Sequence, residues 1–420
     1  MNKAYPKYKP SGVEWLGDVP EHWEVVSLRH LFDIKAGGDL KEELYSEEKT
    51  EKHLYPIYTN SIKSNETYGF SSKPFFKSDT ITVTGRGEIG YATYRDHEYD
   101  AIIRLLVLTP KKGIPCKYYA YFINSMLNFF GGSTAVSQLS TEQISPYKVF
   151  TPSLPEQQAI AAFLDRETGR IDTLITKKQR LLELLAEQRT ALISRAVTKG
   201  LDATVKLKPS GVEWLGEVPE HWEALPLRRI VMTVKTGGTP TGVEESAFDD
   251  EGFNWYSPSD FSDNIKLGKS NRALSEDGKT EVRIFPPKTV MIVGIGATIG
   301  KVGLAINESS CNQQINGIIC GKWLNPEFAT YYLKTMREFI VKCGKYTTLP
   351  IINQDETKNL IFTLPPLPEQ QAIAAFLDRE TAKIDALSTR VNTLIDRLKE
   401  YRTSLISSAV TGKIDVRGKE

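Results

Sequence analysis

The chain has 420 residues, enough for two or three domains. A hydrophobic share of 40% and a charged share of 25% are typical of a soluble globular protein, and no apolar run is long enough to cross a bilayer. A formal net charge of +1 argues against nucleic-acid binding through a general basic excess, so such a function would need local basic patches or a basic partner. The four cysteines lack CxxC spacing and the first residues lack the apolar core of a signal peptide, so we expect a cytoplasmic protein.

A tryptophan-containing motif opens the chain and returns near its middle. Lys9–Gly17 returns as Lys208–Gly216, and Val19–Glu24 returns as Val218–Glu223. Internal repeats of this kind indicate a duplicated architecture. The histidine in each Pro-Glu-His-Trp run is expected to pack or cap, because the five histidines of the chain have no metal-ligand spacing.

The first middle region, residues 30–150, reads as mixed α/β. Residues 81–84 and 102–108 are predicted strands, and residues 117–130 form a predicted helix. Between them lie polar and basic side chains of the types that contact base edges and phosphates, although solvated loops have a similar composition. The side chains that we select as candidates for such contacts are Tyr58, Asn60, Ser61, Lys63, Lys73, Lys77 and Arg86.

A long helix is predicted over residues 154–200. Leu154-Pro155-Glu156 is a favourable helix start, because proline is tolerated in the first turn. Ser153 and Glu156 have the spacing of a capping box, and Gly200 is a plausible end. About 40 residues at about 1.5 Å each would make this helix roughly 60 Å long.

The second middle region, residues 230–365, differs in sequence from the first but is also predicted to be mixed α/β. We expect strands at 290–293 and 315–319 and a helix at 326–341. Gly296–Lys301 resembles a phosphate loop, but its glycines are one residue too close, so we predict a turn between strands. The candidates for contacts to bases and phosphates in this region are Ser257, Ser259, Lys266, Lys269, Arg272, Asn312, Gln313, Gln314, Lys345 and Tyr346.

A second long helix is predicted from residue 367, ending near Gly412. Leu367–Glu380 is identical to Leu154–Glu167. A heptad pattern predicts that the two helices pair as an antiparallel coiled coil, with the alternative that each packs on its own domain. The predicted seam has Leu377, Ile384, Val391, Leu398 and Leu405 at position a and Leu387, Leu394 and Tyr401 at position d; its counterpart in the first helix has Leu164, Ile171, Leu185 and Leu192 at a and Leu174 and Leu181 at d.

No active site is evident in the sequence. Asp33-Ile34-Lys35 could be half of a nuclease element, but the second copy reads Met232-Thr233-Val234 at that place. No amino-methyltransferase motif occurs, and no metal site is predicted. A non-catalytic protein is therefore expected.

Taken together, the repeated motifs, the two Leu-Pro-Glu-Gln-Gln helices and the divergent middles make the chain resemble the specificity subunit of type I restriction–modification systems. The resemblance covers essentially the whole sequence, and Gly237–Pro240, Thr298–Lys301 and Asn312-Gln313 contribute to it. The first middle departs from it at Gly37–Leu40 and at Tyr91.

The resemblance implies a mixed α/β fold with two target-recognition domains related by a pseudo-twofold axis and separated by the helix pair. The expected boundaries are 1–153 and 201–366 for these domains, and 154–200 and 367–415 for the spacer helices. It also implies that each domain reads one half of a split, asymmetric target in double-stranded DNA. The expected partners are two methyltransferase subunits and the restriction subunits, which would hold S-adenosylmethionine, ATP and magnesium; this chain would hold no cofactor.

The segments that stay identical between the repeats are expected to meet identical partners, because core packing alone does not require identical polar residues. The predicted partner-binding residues are Glu156, Gln157, Gln158, Asp165, Arg166, Glu369, Gln370, Gln371, Asp378 and Arg379. Two other functions stay open at this stage: a coiled-coil scaffold that never touches DNA, and an enzyme with an unfamiliar active site.

Overall fold

The computed structural model describes residues 4–14, 17–63, 66–111, 113–127, 138–212, 215–241, 247–343, 345–346 and 350–418. The chain divides into two compact units, of which unit 1 comprises residues 1–179 and 392–420, and unit 2 comprises residues 180–391. Each unit therefore contains one variable middle region and about half of each long helix. The predicted mixed α/β fold is confirmed.

Unit 1 consists of short strands and short helices in addition to its helical segments from the repeats. Among its described residues, the helices are α1 (Leu28–Leu31), α2 (Cys116–Met126) and α3 (Thr141–Ile144), with a 3-10 turn at Glu42–Leu44. The strands are β1 (Tyr8–Pro10), β2 (Asp18–Pro20), β3 (Glu24–Ser27), β4 (Phe32–Ala36), β5 (Tyr45–Ser46), β6 (Tyr55–Tyr58), β7 (Gly69–Ser71), β8 (Thr80–Val83), β9 (Ala92–Arg95), β10 (Asp100–Ala101), β11 (Leu106–Pro110) and β12 (Lys148–Thr151).

The core of unit 1 is an antiparallel sheet with the strand order β4-β11-β8-β9. β8 is buried along its whole length, and α2 packs on β8 and β9 with Tyr118, Tyr119 and Phe122 fully buried. A second sheet has the order β10-β6-β7-β5, in which β10 runs parallel to β6. The predicted strand 81–84 corresponds to β8, displaced by one residue.

The predicted strand 102–108 is wrong in its first half. Residues 102–105 form a turn closed by the Leu105 N–H, which donates to the Ile102 carbonyl at 3.2 Å, and β11 begins only at Leu106. Ile103 and Arg104 both have φ of 56°. The sequence suggests a strand here because its β-branched and apolar residues favour strands, whereas nothing local signals a left-handed turn.

Unit 2 repeats this arrangement with longer strands. Its described helices are α5 (Glu276–Thr280), α6 (Pro326–Thr335), α7 (Arg337–Cys343) and α8 (Gln354–Asn359), with 3-10 turns at Leu227–Arg229 and Pro258–Asp260. Its strands are β13 (Leu207–Pro209), β14 (Glu217–Pro219), β15 (Glu223–Pro226), β16 (Val231–Thr236), β17 (Phe248–Tyr256), β18 (Lys266–Leu267), β19 (Arg272–Leu274), β20 (Thr289–Val293), β21 (Val302–Ala305), β22 (Ser310–Cys311), β23 (Ile315–Cys320), β24 (Lys345–Tyr346), β25 (Pro350–Ile351) and β26 (Ile361–Leu364).

The sheets of unit 2 follow the same order as those of unit 1, except that β18 extends the main sheet and the smaller sheet has three strands instead of four. The main sheet is β16-β23-β20-β21-β18, and the smaller sheet is β19-β17-β22. The predicted strands 290–293 and 315–319 are confirmed as β20 and β23. Residues 294–301 form the predicted turn between β20 and β21, with the Gly300 N–H donating to the Val293 carbonyl at 2.8 Å. The predicted helix 326–341 is broken at Met336 into α6 and α7.

The repeated tryptophan motifs form equivalent structures in the two units. Each begins with an antiparallel strand pair, β1–β2 in unit 1 and β13–β14 in unit 2. Each then buries its tryptophan completely, Trp23 in unit 1 and Trp222 in unit 2. A further strand pair, β3–β12 or β15–β26, leads directly into the long helix.

The long helices are α4 (Leu154–Lys199) and α9 (Leu367–Val410). Both begin at the repeated Leu-Pro-Glu-Gln-Gln run, as predicted. Gly200 and Gly412 follow their ends with φ of 76° and 71°, a backbone conformation that glycine adopts without strain. Among the described residues, no helix is both long and apolar enough to span a membrane.

The predicted seam of the helix pair is half correct. The side chains predicted at position a are buried or half-buried in both helices, whereas the predicted d residues Leu174, Leu387, Leu394 and Tyr401 are exposed, Tyr401 by 56%. The second row of the seam lies four residues after the first rather than three. Its members in α9 are Thr381, Ser388, Ile395, Arg402 and Ala409, and those in α4 are Thr168, Ile175, Leu182, Arg189 and Ala196.

Polar residues in this second row account for the error. An unbroken leucine row was the obvious choice from the sequence, but the buried row contains arginines that pair across the two helices. Arg402 lies 2.9 Å from Asp172 in unit 1, and Arg189 lies 3.2 Å from Asp385 in unit 2. In each unit the start of one helix thus pairs with the end of the other, which confirms the antiparallel coiled coil.

Candidate nucleic-acid interface

Three loops of unit 1 meet at the side chain of Asn60. Its Nδ2 donates to the Ile103 carbonyl at 2.7 Å, and its Oδ1 accepts from the Gly85 N–H at 2.6 Å. One loop follows β6, another follows β8, and the third is the turn 102–105. Because an amide both donates and accepts, this single side chain can fix the two other loops.

Gly37 holds the same turn from the other side. Its N–H donates to the Leu105 carbonyl at 2.7 Å, and a Cβ at this position would lie only 2.4 Å from the Ala101 carbonyl oxygen. Gly237 is its counterpart in unit 2, where a Cβ would lie 2.1 Å from the Cys311 oxygen. The first glycine of each Lys-x-Gly-Gly copy is therefore required by close backbone approach, whereas a Cβ at Gly38 or Gly238 would meet nothing within 4 Å.

The corresponding turn of unit 2, residues 312–315, is built with other residues. Asn312 Oδ1 accepts from the Gln314 N–H at 3.0 Å, and Gln313 Oε1 accepts from the Thr239 hydroxyl at 2.5 Å. The Gly294 N–H donates to the Gln314 carbonyl at 2.7 Å. The two units thus hold a turn on equivalent scaffolds but differ in the side chains that the turn carries.

The predicted DNA-contacting residues of the first middle region do not form one cluster. Asn60 and Arg86 lie at the turn, but Asn60 is occupied by the loop contacts, and Arg86 donates to Gln138 Oε1 at 3.0 Å. Ser61 and Lys63 both contact Glu66 in an exposed loop. Lys73 and Lys77 are exposed, and neither takes part in the Asn60 contacts.

Tyr58 belongs to the interior of unit 1. Only 5% of its surface is exposed, its hydroxyl lies 2.8 Å from His97 Nε2, and the Arg95 guanidinium stacks 3.6 Å from its ring centre. Burial lowers the pKa of Arg95 below its usual value, although the Tyr58 hydroxyl opposes this effect. Tyr58 of β6 and Arg95 of β9 therefore stabilise the two sheets beneath the loops.

The predicted residues of the second middle region are also dispersed. Asn312, Gln313 and Gln314 form the turn. Lys266 bonds Asp378 of α9 at 3.3 Å, and the Arg272 guanidinium lies 3.7 Å from the ring centre of Phe248. Of the others, Ser257 bonds Asp260, Ser259 and Lys269 are exposed, and Lys345 and Tyr346 lie in β24 with side chains outside the described part of the chain.

The sequence reasoning missed Arg104. It was assigned to a strand, yet it is exposed on the turn 102–105, beside the loop that carries Arg86. The sequence contains one signal for this residue: Arg104 lies two residues after Ile102, just as Gln314 lies two residues after Asn312 in the second copy.

The predicted partner-binding glutamates instead connect each long helix to its own tryptophan motif. Glu156 Oε1 lies 2.9 Å from His22 Nε2, and Glu369 Oε2 lies 2.8 Å from His221 Nε2. The Trp222 indole N–H also donates to Glu369 at 3.2 Å. Each histidine therefore has the structural role expected of it, at the start of a helix.

The environment of Glu156 is the more closed of the two. Its carboxylate also accepts from the hydroxyl and the N–H of Ser153, which is the glutamate half of the predicted capping box. Burial alone would raise the pKa of Glu156, but hydrogen bonds from His22, Ser153 and Trp23 outweigh this effect and lower it. Glu156 is thus held as a carboxylate.

Several other identical polar residues are also used within their own unit. Gln157 donates to the Pro152 carbonyl, and the fully buried Gln370 donates to Trp323 and Pro365 and accepts from the Asn325 N–H. Asp165 bonds Lys117 and Tyr121, just as Asp378 bonds Lys266 and Tyr331. Internal structure therefore gives a reason for their identity that the sequence argument had not considered.

The remaining predicted partner-binding residues lie on the surface. Gln158 and Gln371 are exposed. Arg166 and Arg379 are also exposed and bond the neighbouring Glu167 and Glu380. These four residues represent two positions, each present once in each unit, and they stay predictions for partner contact.

Comparison with known proteins agrees with this duplicated geometry. Residues 20–184 and 219–397 match the family model described as the type I restriction modification DNA specificity domain. The chain belongs to this family. Each match covers one variable middle region and the first part of the long helix that follows it.

Curated relatives of this family differ in how much of them the chain covers. It is 23% identical over 434 residues to the putative type I restriction enzyme MjaX specificity subunit of Methanocaldococcus jannaschii, covering 96% of each chain. It is 33% identical over 146 residues to the putative type I specificity subunit S.MpnORF507P of Mycoplasma pneumoniae, which is 34% of this chain and only 40% of that protein.

Solved structures of the family have the same fold. One chain, from a study of assembly and conformational transition in the type I R-M system, matches with a TM-score of 0.71 at 14% identity, covering 94% of this chain and 99% of its own. The HsdS subunit from Thermoanaerobacter tengcongensis matches with a TM-score of 0.55 at 14% identity, covering 94% and 98%. At this identity the likeness concerns the fold alone.

Proposed function

We propose that this chain is the DNA-reading subunit of a type I restriction–modification complex and has no catalytic activity of its own. Each variable middle region reads one half of a split, asymmetric target in double-stranded DNA, and the helix pair sets the gap between the halves. Two methyltransferase subunits and the restriction subunits assemble on it in the cytoplasm. S-adenosylmethionine, ATP and magnesium are bound by those partners.

One observation carries this proposal: equivalent scaffolds present different side chains. Gly37 and Gly237 anchor turns at corresponding places, yet one carries Ile103 and Arg104 with positive φ while the other carries Gln313 and Gln314 without it. Base edges are distinguished by the donors and acceptors that a protein offers, so different side chains on equivalent turns suit two different half-sites.

Sequencing of methylated bases tests the proposal directly. The chain is expressed with its methyltransferase subunit in cells that lack other methyltransferases, and the same cells without this chain serve as control. We expect methylation at one split motif only when both proteins are present. Methylation by this chain alone would support an unfamiliar enzyme, and complex formation without any sequence preference would support a protein scaffold.

Replacing one domain tests whether the two halves are read separately. Exchange of residues 30–150 for the same region of a relative should change only one half of the methylated motif, because that region packs within unit 1. Loss of both halves in a folded, partner-bound chimera would contradict independent reading.

The role of the helix pair in setting the gap has its own test. Seven residues added at the same level of both α4 and α9 preserve the heptad seam and add about 10 Å to each helix. We expect a longer gap between unchanged half-sites, by about three base pairs at 3.4 Å each. An unchanged gap, or new half-sites, would contradict this role.

Partner binding is tested at the exposed repeated residues. We expect Gln158→Arg and Gln371→Arg each to remove one methyltransferase subunit from the complex, because both side chains are exposed and both are identical between the repeats. Gln179→Arg, at an exposed position of α4 where the second helix has Asn392, is the matched control. Native mass spectrometry counts the subunits, and two subunits retained in both variants would remove these residues from the interface.

A further inference from the structure

The turn 102–105 has an unusual backbone for its sequence. Both of its central residues, Ile103 and Arg104, have positive φ, the signature of a type I′ turn. Such turns strongly prefer asparagine and glycine, and a β-branched residue with positive φ is a rare outlier. The chain therefore has two residues with unfavourable backbone preferences at positions where Asn-Gly would adopt the turn more easily.

The surrounding structure forces this conformation. The Ile103 N–H donates to the Gly38 carbonyl at 3.0 Å, and the Ile102 N–H donates to the Tyr58 carbonyl at 3.0 Å. Asn60 holds the Ile103 carbonyl, and Gly37 holds the Leu105 carbonyl. Strained residues that are anchored in this way concentrate at functional sites, because the strain places a required side chain.

The side chains of the turn point away from the core. Ile103 is 45% exposed and Arg104 is exposed. Within the described residues, the Arg104 guanidinium makes no hydrogen bond or ion pair, unlike Arg86 on the neighbouring loop, which bonds Gln138. The turn thus presents, on an anchored backbone, a guanidinium whose five donors are available.

We propose that Arg104 is a specificity residue of the first half-site and reads a guanine in the major groove. This inference rests on the proposed function. Arginine pairs with the two acceptors of guanine, N7 and O6, in a bidentate manner, and the anchored turn fixes the point from which the side chain extends. The turn at the corresponding place in unit 2 has glutamines whose Oε1 atoms accept from Thr239 and Asn312, so the assignment of a guanine is made for the first half-site alone.

Arg104→Gly separates this role from a structural one. Glycine accepts positive φ without strain, so we expect the thermal midpoint of the variant to stay equal or rise. At the same time we expect discrimination for guanine at one position of the first half-site to fall by about 5- to 150-fold, the range for a bidentate pair. A merely structural residue would show the opposite pattern, with lower stability and unchanged discrimination.

The measurement uses the complex with its methyltransferase subunit and duplexes randomised in one half-site at a time. Arg104→Lys should retain phosphate attraction and discriminate less sharply, because an ammonium lacks the planar fork that matches O6 and N7. Lys177→Ala removes an exposed charge of unit 1, on α4, as control and should leave the base preference unchanged. The second half-site should stay unchanged in all variants.

The outcomes separate the two proposals. A wild-type complex without base preference would overturn the proposed function itself. A wild-type complex that reads the first half-site without any guanine would overturn the assignment of Arg104, as would an Arg104→Gly complex with full discrimination. Full discrimination in both Arg104→Gly and Arg104→Lys, with weaker binding only in Arg104→Gly, would reduce the residue to a phosphate contact.

Discussion

Removal of the Glu156 carboxylate should destabilise the protein more than removal of Glu369. Both glutamates contact the histidine and tryptophan of their motif, but they differ in burial and in their other contacts. The Glu156 side chain is 6% exposed and also accepts from Ser153, with Arg417 3.7 Å away. The Glu369 side chain is 29% exposed, and Pro366 replaces the serine.

The magnitude follows from these contacts. Glu156→Ala removes a nearly buried carboxylate that accepts from His22, Trp23 and Ser153, and the loss of these hydrogen bonds to a charged group costs about 3–5 kcal/mol in total. In Glu369→Ala, water can partly reach the groups that bonded the carboxylate, so we expect the free energy of unfolding to fall by about 2 kcal/mol. For units of this size, each kcal/mol lowers the melting temperature by about 2–4 °C. Glu156→Ala should therefore melt roughly 6–20 °C lower, and Glu369→Ala roughly 4–8 °C lower.

Differential scanning calorimetry of the full chain measures both shifts. Glu156→Gln serves as an intermediate control, because it keeps the shape and an acceptor oxygen without the charge. The lowered pKa of Glu156 adds a test: its stabilising effect is present above the ordinary pKa and is lost as pH falls through the folded pKa. Wild type should thus lose more stability on acidification than Glu156→Gln. A Glu369→Ala shift equal to or larger than that of Glu156→Ala would refute the reasoning.

Three further predictions concern the seam, a buried lysine and a glycine. In urea titration, Ile395→Ala should lower the free energy of unfolding by about 2–4 kcal/mol and Leu394→Ala by less than about 1 kcal/mol, because Ile395 is 5% exposed and Leu394 is 39% exposed. Equal losses would indicate that Leu394 belongs to the buried seam, as the sequence predicts. Burial, followed by the charge of Arg189, lowers the pKa of Lys334 from 10.5 to about 8. The free energy of unfolding should therefore rise between pH 8 and 10.5, by up to about 1.4 kcal/mol per pH unit. In parallel urea titrations, Lys334→Met should lack this rise. Gly37→Ala should destabilise the protein by about 1–3 kcal/mol, whereas Gly38→Ala should have little effect because the space around its Cβ is open. Equal shifts of the two variants in thermal melts would contradict the role of close backbone approach.

The helices were predictable because their signals are local. Leu154 and Leu367 start their helices where the sequence indicated, and Gly200 and Gly412 follow the ends. The seam was only half predictable, because apolar spacing cannot show that an arginine such as Arg189 or Arg402 replaces a leucine in the buried row. Such a residue is tolerated there only because an aspartate on the facing helix pairs with it, and that is tertiary information.

The turn around Ile103 and Arg104 shows a different limit. Their intrinsic preferences indicate a strand, and only hydrogen bonds from distant residues such as Asn60 and Gly38 impose the turn. Residue type also failed to identify which polar side chains already have partners within the protein, since Tyr58 and Arg86 both bond within unit 1. Local propensity is overridden most readily where the backbone is strained, so positions at which a sequence-based prediction fails deserve inspection as functional sites.

Identity between the two repeats has two separate physical causes in this chain. Glu156 and Glu369 fasten a helix start to a tryptophan motif, so the same bonds would maintain them even in the absence of any partner. Gln158 and Gln371 have no such internal reason, because they are exposed and sequence identity at exposed positions adds little to stability. Recognition of two identical subunits is therefore better sought at the exposed glutamines, while recognition of two unlike half-sites is better sought at the turns that differ.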